Sequence, residues 1–431
     1  MTAIASRQRS RMLAALACGV GAALVLPVGV VLGARTILGS EGGSAVDGSG
    51  GPLMPVTPAA LLATVDGEGE LTTLSVVVLD PSGVGGTVVV VAAGARTEVP
   101  VGAQSVRLAD AYATGGIEAL AREASGVLDV SFSAVAAVKS DELAALLSAV
   151  PPVPVTFDES VVNTVMQPPD PATTTTVRSR STTTTSIEPV LVPVSTQLFP
   201  AGASTLAPAD LVAVLTAVRI GEPETDRLPR TARIWQAIAA AGPVGSPPAE
   251  GDRGVPADVP GFLSRLMSGP FQVWSLAAAP VEEPGATPGL YALDRAEVVM
   301  IMASVAPSSL ILHSESTVVV QIDSSFNNAA ITRKVVERLI AAGIPVGLIR
   351  ELAGTPPIEV TTLVATDGEM LGAAESSFAA ALGPVTSKTV SRRAWAEGMT
   401  VQVVLGASLE AFLAGDPPAP TTVPADVAVE E

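Results

Sequence analysis

The sequence is poor in the residues on which many enzymes and metal sites depend. It holds one cysteine, Cys18, and one histidine, His313, among 431 residues. Cys18 falls inside a long apolar run, so the rest of the chain can form neither a disulfide nor a thiolate metal site. We assign the lone histidine a structural role, which sets aside Ser-His-Asp, Cys-His and multi-histidine zinc chemistry. Any chemistry must therefore use carboxylates, arginines, hydroxyls or a hard metal ion.

Positive charge and aromatic residues are also scarce. Lys and Arg number 24 against 42 Asp and Glu, which gives a net charge of −18, and aromatics make up 3% of the chain. An acidic surface repels phosphate backbones, and no basic run offsets it, so we expect no nucleic-acid partner. The 48% of hydrophobic residues are mostly Ala, Val and Leu, which predicts aliphatic cores.

One uncharged stretch is long enough to cross a membrane. Residues 12–33 carry no charge, and about 20 apolar residues span the hydrocarbon core of a bilayer as a helix. Arg7, Arg9 and Arg11 stand just before it, so the bias of basic residues predicts cytoplasmic residues 1–11 and an extracellular bulk. We predict a single-pass protein of the cell membrane. A cleaved signal peptide is the alternative interpretation.

The rest of the chain divides by composition. A Gly/Ser-rich flexible tether (34–57) leads to a first domain (58–312), a second domain (317–413) and a disordered acidic tail (414–431). Two threonine tracts with Pro and Ser predict a disordered insertion at 163–190. Strands such as LTTLSVVVL alternate with helices such as DELAALLSAV. The expected fold class is therefore α/β: a layered α/β/α external domain and a small α/β C-terminal domain behind one membrane helix.

Several sequence blocks, in this order, resemble the LytR-CpsA-Psr family of membrane-anchored envelope proteins. In the first half they are LTTLSVVVLDP, VVVVAAGARTEVP, LADAYATGG and SFSAVAAVKSDELAALLSAV. In the second half they are LAPADLVAVLTAVR, DRLPRTARIWQAI and LYALDRAEVVMIMASV. The last hundred residues, from STVVVQIDSSFNN to VQVVLGASLEAF, are similar to the LytR C-terminal domain.

The resemblance implies a role in cell-wall assembly. It implies transfer of a glycan polymer from a polyprenyl-pyrophosphate carrier to peptidoglycan, by a site in which arginines hold the pyrophosphate and carboxylates hold Mg²⁺. The residues that match the family's arginine blocks are Arg96, Arg219, Arg230 and Arg233, with Asp226 and Arg227 as weaker candidates. We assign no catalytic residue and no metal ligand.

This chain departs from the family pattern where the chemistry lies. The strand that should open with an Arg-Thr/Ser-Asp-Thr run begins Glu70-Leu71-Thr72-Thr73, and the Pro-Arg-Asp-Thr loop is Gly94-Ala95-Arg96-Thr97. The metal-binding aspartates are thus missing. The Asn-Gly-Ser-Gly turn of the C-terminal domain is Asp323-Ser324-Ser325-Phe326, without its glycines. These losses favour a degenerate member of the family.

Each candidate arginine has a second interpretation. Arg230 and Arg233 are three residues apart and share a helix face, which could be solvated or ion-paired near Asp226. Arg219, at a helix end, could bind the last-turn carbonyls instead of a ligand. Arg227 replaces Arg230 as the donor if the DRLPR loop has a one-residue insertion. We assign Asp110, in LADAYATGG, to the start of a helix.

Three functions remain open at this point. The first is a degenerate protein that binds lipid-pyrophosphate-linked glycan or a wall partner without cofactor. The second is an active glycopolymer–peptidoglycan transferase, which alone would require Mg²⁺. The third is an envelope interaction module with no ligand pocket, whose working surfaces are the C-terminal domain and the tail.

Overall fold

The computed structural model describes residues 52–98, 106–167, 191–249, 254–282, 287–312 and 318–415. The predicted cytoplasmic residues, membrane helix and acidic tail after residue 415 lie outside these ranges, as do His313 and most of the predicted tether. In the ranges described, no helix is both long and apolar enough to cross a bilayer. Residues Gly51–Glu431 form one compact unit.

Strands and helices alternate along the described residues, which confirms the mixed α/β class. The strands are β1 (Ala59–Val65), β2 (Leu71–Leu79), β3 (Gly86–Val91), β4 (Ala134–Lys139), β5 (Val153–Phe157), β6 (Val161–Gln167), β7 (Val192–Phe199), β8 (Gly202–Leu206), β9 (Phe271–Ser275), β10 (Ala278–Pro280), β11 (Tyr291–Leu293), β12 (Val320–Ser324), β13 (Val346–Glu351), β14 (Thr361–Ala365), β15 (Val385–Thr389) and β16 (Val401–Val404). The helices are α1 (Leu108–Leu128), α2 (Ser140–Leu146), α3 (Pro208–Thr216), α4 (Glu224–Ala240), α5 (Val259–Met267), α6 (Arg295–Val305), α7 (Ala329–Ala341), α8 (Gly368–Leu382) and α9 (Ser408–Ala414).

The first five-stranded sheet has the strand order β4-β1-β2-β3-β9. The three central strands are antiparallel to one another, and the edge strands β4 and β9 run parallel to their neighbours. Every residue of β1 is buried, as is every residue of β2 except Leu71. Burial on both faces is typical of a sheet covered by helices on each side. Helix α4 packs against β3 and β9, and α5 packs against β1 and β2.

One predicted boundary in this half is wrong. Residues 163–167, assigned to the disordered insertion, belong to β6, because this strand pairs antiparallel with β7 from Val161 to Gln167. The Thr164 and Ser195 hydroxyls add a 2.8 Å hydrogen bond across the pair. The threonine-rich remainder of the insertion lies outside the described residues. Helix α1 consists of two helical segments joined at a kink, because Gly116 has non-helical angles (φ 67°, ψ −159°) and the second segment begins at Ile117.

The second five-stranded sheet has the order β13-β12-β16-β14-β15, with β14 antiparallel to β16 and the other pairs parallel. The Asn328 side chain caps α7 by accepting from the backbone N–H of Ala330 at 3.0 Å, as is usual for Asn before a first turn. Asp323, in β12, is buried among the donors of neighbouring strands. Asp323 and Ser324 are the last residues of β12, and no residue from 323 to 326 has a positive φ. The stretch therefore does not require the glycines that the resemblance led us to expect.

The two sheets are joined by direct contacts. Helices α6 and α7 pack together, and the α6 cap Asp294 also accepts a hydrogen bond from Arg333 of α7. The end of the predicted tether is ordered, so that boundary is wrong as well. Thr57 is buried, and its N–H donates to the Ser308 hydroxyl at 2.7 Å. The carbonyl of Pro52 accepts from the N–H of Glu397 at 2.9 Å.

Candidate functional site

The loop after β3, which contains Arg96, is held by a carboxylate from far along the chain. Glu224, the first residue of α4, accepts from the backbone N–H of Ala93 at 2.5 Å and from that of Gly94 at 2.6 Å, one bond to each oxygen. The N–H of Glu224 donates to the Tyr291 hydroxyl at 2.9 Å. Glu224 is only 8% exposed. An internal anion therefore occupies the backbone donors of this loop.

Gly94 is required by the close packing around that carboxylate. A Cβ at this position would lie 2.3 Å from the carbonyl oxygen of Gly289 and 2.8 Å from Oε2 of Glu224. These atoms cannot withdraw without breaking a contact. Tyr291, two residues after Gly289, donates its N–H to the carbonyl of Gly94, and its own carbonyl accepts from the N–H of Arg96. The glycine in GARTEVP is thus explained by close approach of the backbone to Glu224.

Arg227 lies one turn further along α4 and binds the same carboxylate. Its Nη2 is 3.2 Å from Oε1 of Glu224, and the two side chains are 15% and 9% exposed. The pair stands at the N-terminus of the helix, where the carboxylate also faces the positive end of the helix dipole. Arg227, a weaker candidate from the sequence, is therefore next to the Arg96 loop, but it is committed to Glu224.

Arg107 belongs to the same region and was missed at the sequence level. It forms an isolated antiparallel bridge with Arg96. Its guanidinium binds Asp110 through Nη2 at 2.6 Å and through Nε at 3.1 and 3.0 Å. This hydrogen-bonded pair lowers the pKa of Asp110, and the pKa of Arg107 is raised by the same contact. Asp110 lies in the first turn of α1, which confirms its assignment to a helix start.

Arg219 lies in the loop between α3 and α4, and Arg230 makes its contacts with the same loop. Arg230 donates to Glu222 at 2.6 and 3.1 Å and to the carbonyl of Ala217 at 2.9 Å. Both side chains of the Arg230–Glu222 pair are about 15% exposed. The N–H of Glu222 donates to the carbonyl of Arg219 at 3.1 Å, and the Arg219 residue is exposed. Thus Arg230 is fixed by a nearly buried ion pair, whereas Arg219 faces solvent.

Arg233 makes its contacts at the end of β5. Its Nη1 donates to the carbonyl of Thr156 at 2.9 Å and its Nη2 to Asp158 at 2.7 Å, and the Asp158 side chain is 77% exposed. Arg230 and Arg233 are both ion-paired, which is the second interpretation of their helix face, but Asp226 is not their partner. Asp226 is exposed, and the carboxylates that bind Arg230 and Arg233 come from the loop before α4 and from the end of β5.

The candidate residues therefore form separate groups. Arg96, Arg107 and Arg227 lie around the loop after β3, which Glu224 holds. Arg219 and Arg230 lie at the loop between α3 and α4, and Arg233 lies at the end of β5. Arg227, Arg230 and Arg233 each pair with a different carboxylate. The three arginines of α4 are thus each committed to a carboxylate of the chain itself, whereas Arg219 is exposed.

The carboxylates of this region do not fit a Mg²⁺ ion. Mg²⁺ is bound through free oxygen ligands, often one or two carboxylates with substrate oxygens. Here both oxygens of Glu224 face N–H donors, and Asp110 and Glu222 are each bound by a guanidinium. Across the described ranges no group of three or more His, Cys, Asp or Glu residues is placed to hold a metal ion. We derive no step through a metal.

Glu224 gave no signal in the sequence. It stands in the GEPETD loop, where an acidic residue next to a helix start is explained by the helix dipole alone. Its partners Ala93 and Gly94 lie about 130 residues earlier and contribute backbone atoms, which leave no mark in a side-chain pattern. Arg107 precedes LADAYATGG directly and could have been found as a basic residue at a helix start.

Comparison with known proteins gives structural matches only. No family model and no curated protein matches the chain. Solved structures that are similar include "TagT bound to LIIa-WTA" (15% identity, TM-score 0.38, covering 57% of this chain and 88% of that one) and the B. subtilis TagV crystal structure (12%, 0.37, 57% and 94%). A third is "LytR-CPS2A-psr family protein YwtF (TagT) with bound octaprenyl pyrophosphate lipid" (15%, 0.35, 56% and 86%).

These low scores limit what can be concluded from the comparison. A TM-score below 0.4 at less than 20% identity supports no statement about the activity or ligands of this chain. One of these structures is described as a LytR-CPS2A-psr family protein, the family that the sequence blocks of this chain resemble.

Proposed function

We propose that this protein is a membrane-anchored, LytR-CpsA-Psr-like protein of cell-wall assembly that binds lipid-pyrophosphate-linked glycan or a wall partner without catalysing transfer. The apolar residues 12–33 and the order of the sequence blocks support the anchored, envelope part of the proposal. The non-catalytic part is supported chiefly by one contact, the carboxylate of Glu224 on the backbone N–H groups of Ala93 and Gly94.

Glu224 matters because it removes the conditions for catalysis of phosphoryl transfer. Catalysis needs donors already aimed at the charge that develops in the transition state. In this chain the loop donors already bind a carboxylate, and Arg227 and Arg230 are held by nearly buried ion pairs. The side chains of both pairs are at most 15% exposed, so a guanidinium that turned to a substrate would leave its carboxylate without a partner in a largely buried place.

Binding of an anionic head group requires less. The Arg233–Asp158 pair is solvent-exposed, and such pairs contribute roughly 0–1 kcal/mol, so a phosphate can replace the aspartate at small cost. Arg219 is exposed as well. A membrane anchor would keep these arginines near a lipid-borne ligand and raise its effective concentration. Weak, metal-independent binding is the expected behaviour.

The test uses the full chain in lipid nanodiscs with a polyprenyl-pyrophosphate-linked oligosaccharide. Binding is measured with and without Mg²⁺, and turnover is followed as polyprenyl phosphate released when a wall hydroxyl attacks the glycan-side phosphorus and the P–O–P bond breaks. We expect binding independent of Mg²⁺, weakened several-fold by the Arg219→Ala, Arg233→Ala double substitution, and no release of polyprenyl phosphate.

Two outcomes would overturn the proposal in different ways. Mg²⁺-dependent release of polyprenyl phosphate that Arg230→Ala abolishes would establish the active transferase. If binding stays at background in the wild-type protein and in both arginine variants, the remaining function is the interaction module that has no ligand pocket. Asp226→Asn serves as the matched control, because Asp226 is exposed on the same helix and binds none of these arginines.

A further inference from the structure

A large cleft lies between the two sheets, away from the arginines of the candidate site. Its volume is about 850 Å³, near the upper end of the range for ligand pockets. Strand β9, at the edge of the first sheet, forms one wall, and strand β13, at the edge of the second sheet, forms part of the other. Helix α6 and the start of α7 complete the lining. The proposed function does not use this space.

The first wall exposes an aromatic ring. Trp274 is 38% exposed, whereas Trp235 and Trp395 are 2% and 1% exposed. In a chain with so few aromatic residues, leaving an indole in water forgoes the stabilisation that its burial would give. Gln272 is exposed on the same face of β9, because side chains two positions apart on a strand point the same way, roughly 7 Å apart. The wall thus offers a flat apolar surface beside an amide.

The second wall carries a fixed guanidinium. Arg350 binds Asp323 through Nε at 2.8 Å and Nη2 at 2.6 Å, which leaves Nη1 outside that pair. Gln321 and Gln402 also donate to Asp323, whose side chain is 3% exposed, so the carboxylate is rigidly held. The Arg350 side chain is 39% exposed and lines the cleft. This bidentate pair raises the pKa of Arg350 and fixes the orientation of its charge.

The remaining polar lining is mixed in sign. Asn327 and Asn328, at the start of α7, are exposed amides, while Asp80 and Glu351 add carboxylates at the two sides. A polyanion would meet these carboxylates unfavourably. Amides, carboxylates and an indole together suit a ligand rich in hydroxyl groups with flat C–H faces, because hydroxyls both donate and accept hydrogen bonds. The single guanidinium can receive one acid group on such a ligand.

We propose that the cleft between β9 and β13 binds a stretch of saccharide chain that carries a carboxylate, with Trp274 against a sugar ring and Arg350 on the acid group. The choice of ligand chemistry rests on the proposed function in wall assembly, but the site is separate from the arginines named there. The ring contact supplies affinity for any saccharide of suitable shape, and the guanidinium distinguishes acidic from neutral chains.

The test uses the full chain in nanodiscs and the fluorescence of Trp274. Acrylamide quenches exposed tryptophans, and of the three in the sequence only Trp274 is exposed, so a ligand in the cleft will protect the quenched fraction. The probes are soluble peptidoglycan glycan strands freed of their stem peptides by an amidase, which leaves one lactyl carboxylate in each repeat, and neutral chito-oligosaccharides of matched length. We expect protection by both, with at least fivefold tighter binding of the acidic strands.

Substitutions assign the contacts. Trp274→Ala should weaken both ligands at least tenfold by calorimetry, and Trp274→Phe should restore part of the loss. Arg350→Lys should weaken the acidic strands and leave the neutral ones unchanged, which separates recognition from folding. Val135→Ala is the matched control, since Val135 is 37% exposed on β4, the opposite edge of the first sheet.

The results distinguish this inference from the proposed function. Suppose that the protein binds the lipid-linked glycan equally well with and without the Trp274→Ala substitution and fails to bind free strands. That result would overturn the saccharide site in the cleft and leave the proposed function standing. Free strands bound through Trp274, with the lipid-linked glycan at background, would support the cleft and overturn the proposed ligand. Protection by a wall stem peptide and not by saccharides would overturn the saccharide assignment.

Discussion

The carboxylate of Glu224 provides the sharpest prediction, because its neighbour Asp226 offers a matched comparison. Glu224→Gln and Asp226→Asn each remove one negative charge from the first turn of α4, so the change in helix-dipole energy is similar, at about 0.5 kcal/mol. Only Glu224 is buried and bonded to Ala93, Gly94 and Arg227. The difference between the two variants therefore measures the contacts of the loop.

The magnitude follows from those contacts. A glutamine has one acceptor oxygen, so its amide group must face one of the two backbone N–H donors, and an unsatisfied buried donor costs about 1–3 kcal/mol. Arg227 also loses its charged partner in a nearly buried pair, for which roughly 3–5 kcal/mol is an upper range. Because Arg227 can still bond the amide oxygen, we expect a total of about 3 kcal/mol.

Thermal unfolding of the full chain measures the difference. At roughly 2–4 °C per kcal/mol for a domain of 150–250 residues, Glu224→Gln should lower the Tm by about 6–12 °C and Asp226→Asn by about 1–2 °C. Trp235 lies buried in the same helix and reports the transition by fluorescence. Equal shifts in the two variants would refute the assignment of Glu224 to the loop donors.

Three further predictions follow from neighbouring contacts. Gly94→Ala should destabilise by about 1–3 kcal/mol because its Cβ meets a carbonyl oxygen at 2.3 Å, whereas Gly67→Ala, with open space around it, should change the urea midpoint little. The lowered pKa of Asp110 means that its pair with Arg107 stabilises the fold above the unfolded pKa of about 3.9, and this contribution is lost as pH falls through the lower folded value. Asp110→Asn should therefore lower the urea midpoint at pH 7 but match the wild type near pH 2, and a constant difference would contradict the pairing. Arg230→Met should cost about 2–4 kcal/mol in urea unfolding, since it strands a nearly buried carboxylate, and an unchanged midpoint would show that the pair is not formed.

Much of the fold follows from local patterns. The β-branched run LTTLSVVVL is β2 to the residue, and Asp294 caps α6, with its side chain accepting from the backbone N–H of Glu297 at 3.0 Å, as is usual for Asp before a first turn. Strand β1 was missed because AALLATV contains mainly alanine and leucine, which favour helices, and its strand conformation comes from pairing with β2 and β4.

The candidate site could not be predicted to the same extent. Arg230 and Arg233 are three residues apart, as a shared helix face requires, yet one guanidinium turns to the α3–α4 loop and the other to the end of β5. Long side chains choose partners by what the tertiary fold brings near them, which the spacing along a helix does not specify. The partners, Glu222 and Asp158, lie outside the helix.

The antiparallel ribbon of β6 and β7 has a practical consequence for dissecting the protein. Gln167 at the end of β6 is paired with Val192 at the start of β7, so the residues on either side of the threonine-rich segment are neighbours across one strand pair. Closing such a gap with a two-residue hairpin turn requires no movement of the sheets, and loop length itself has a small entropic cost. Replacing residues 168–190 with such a turn, or with an affinity tag between the same two strands, would therefore keep the pairing of β6 with β7 and allow the contribution of the threonine-rich segment to be measured separately.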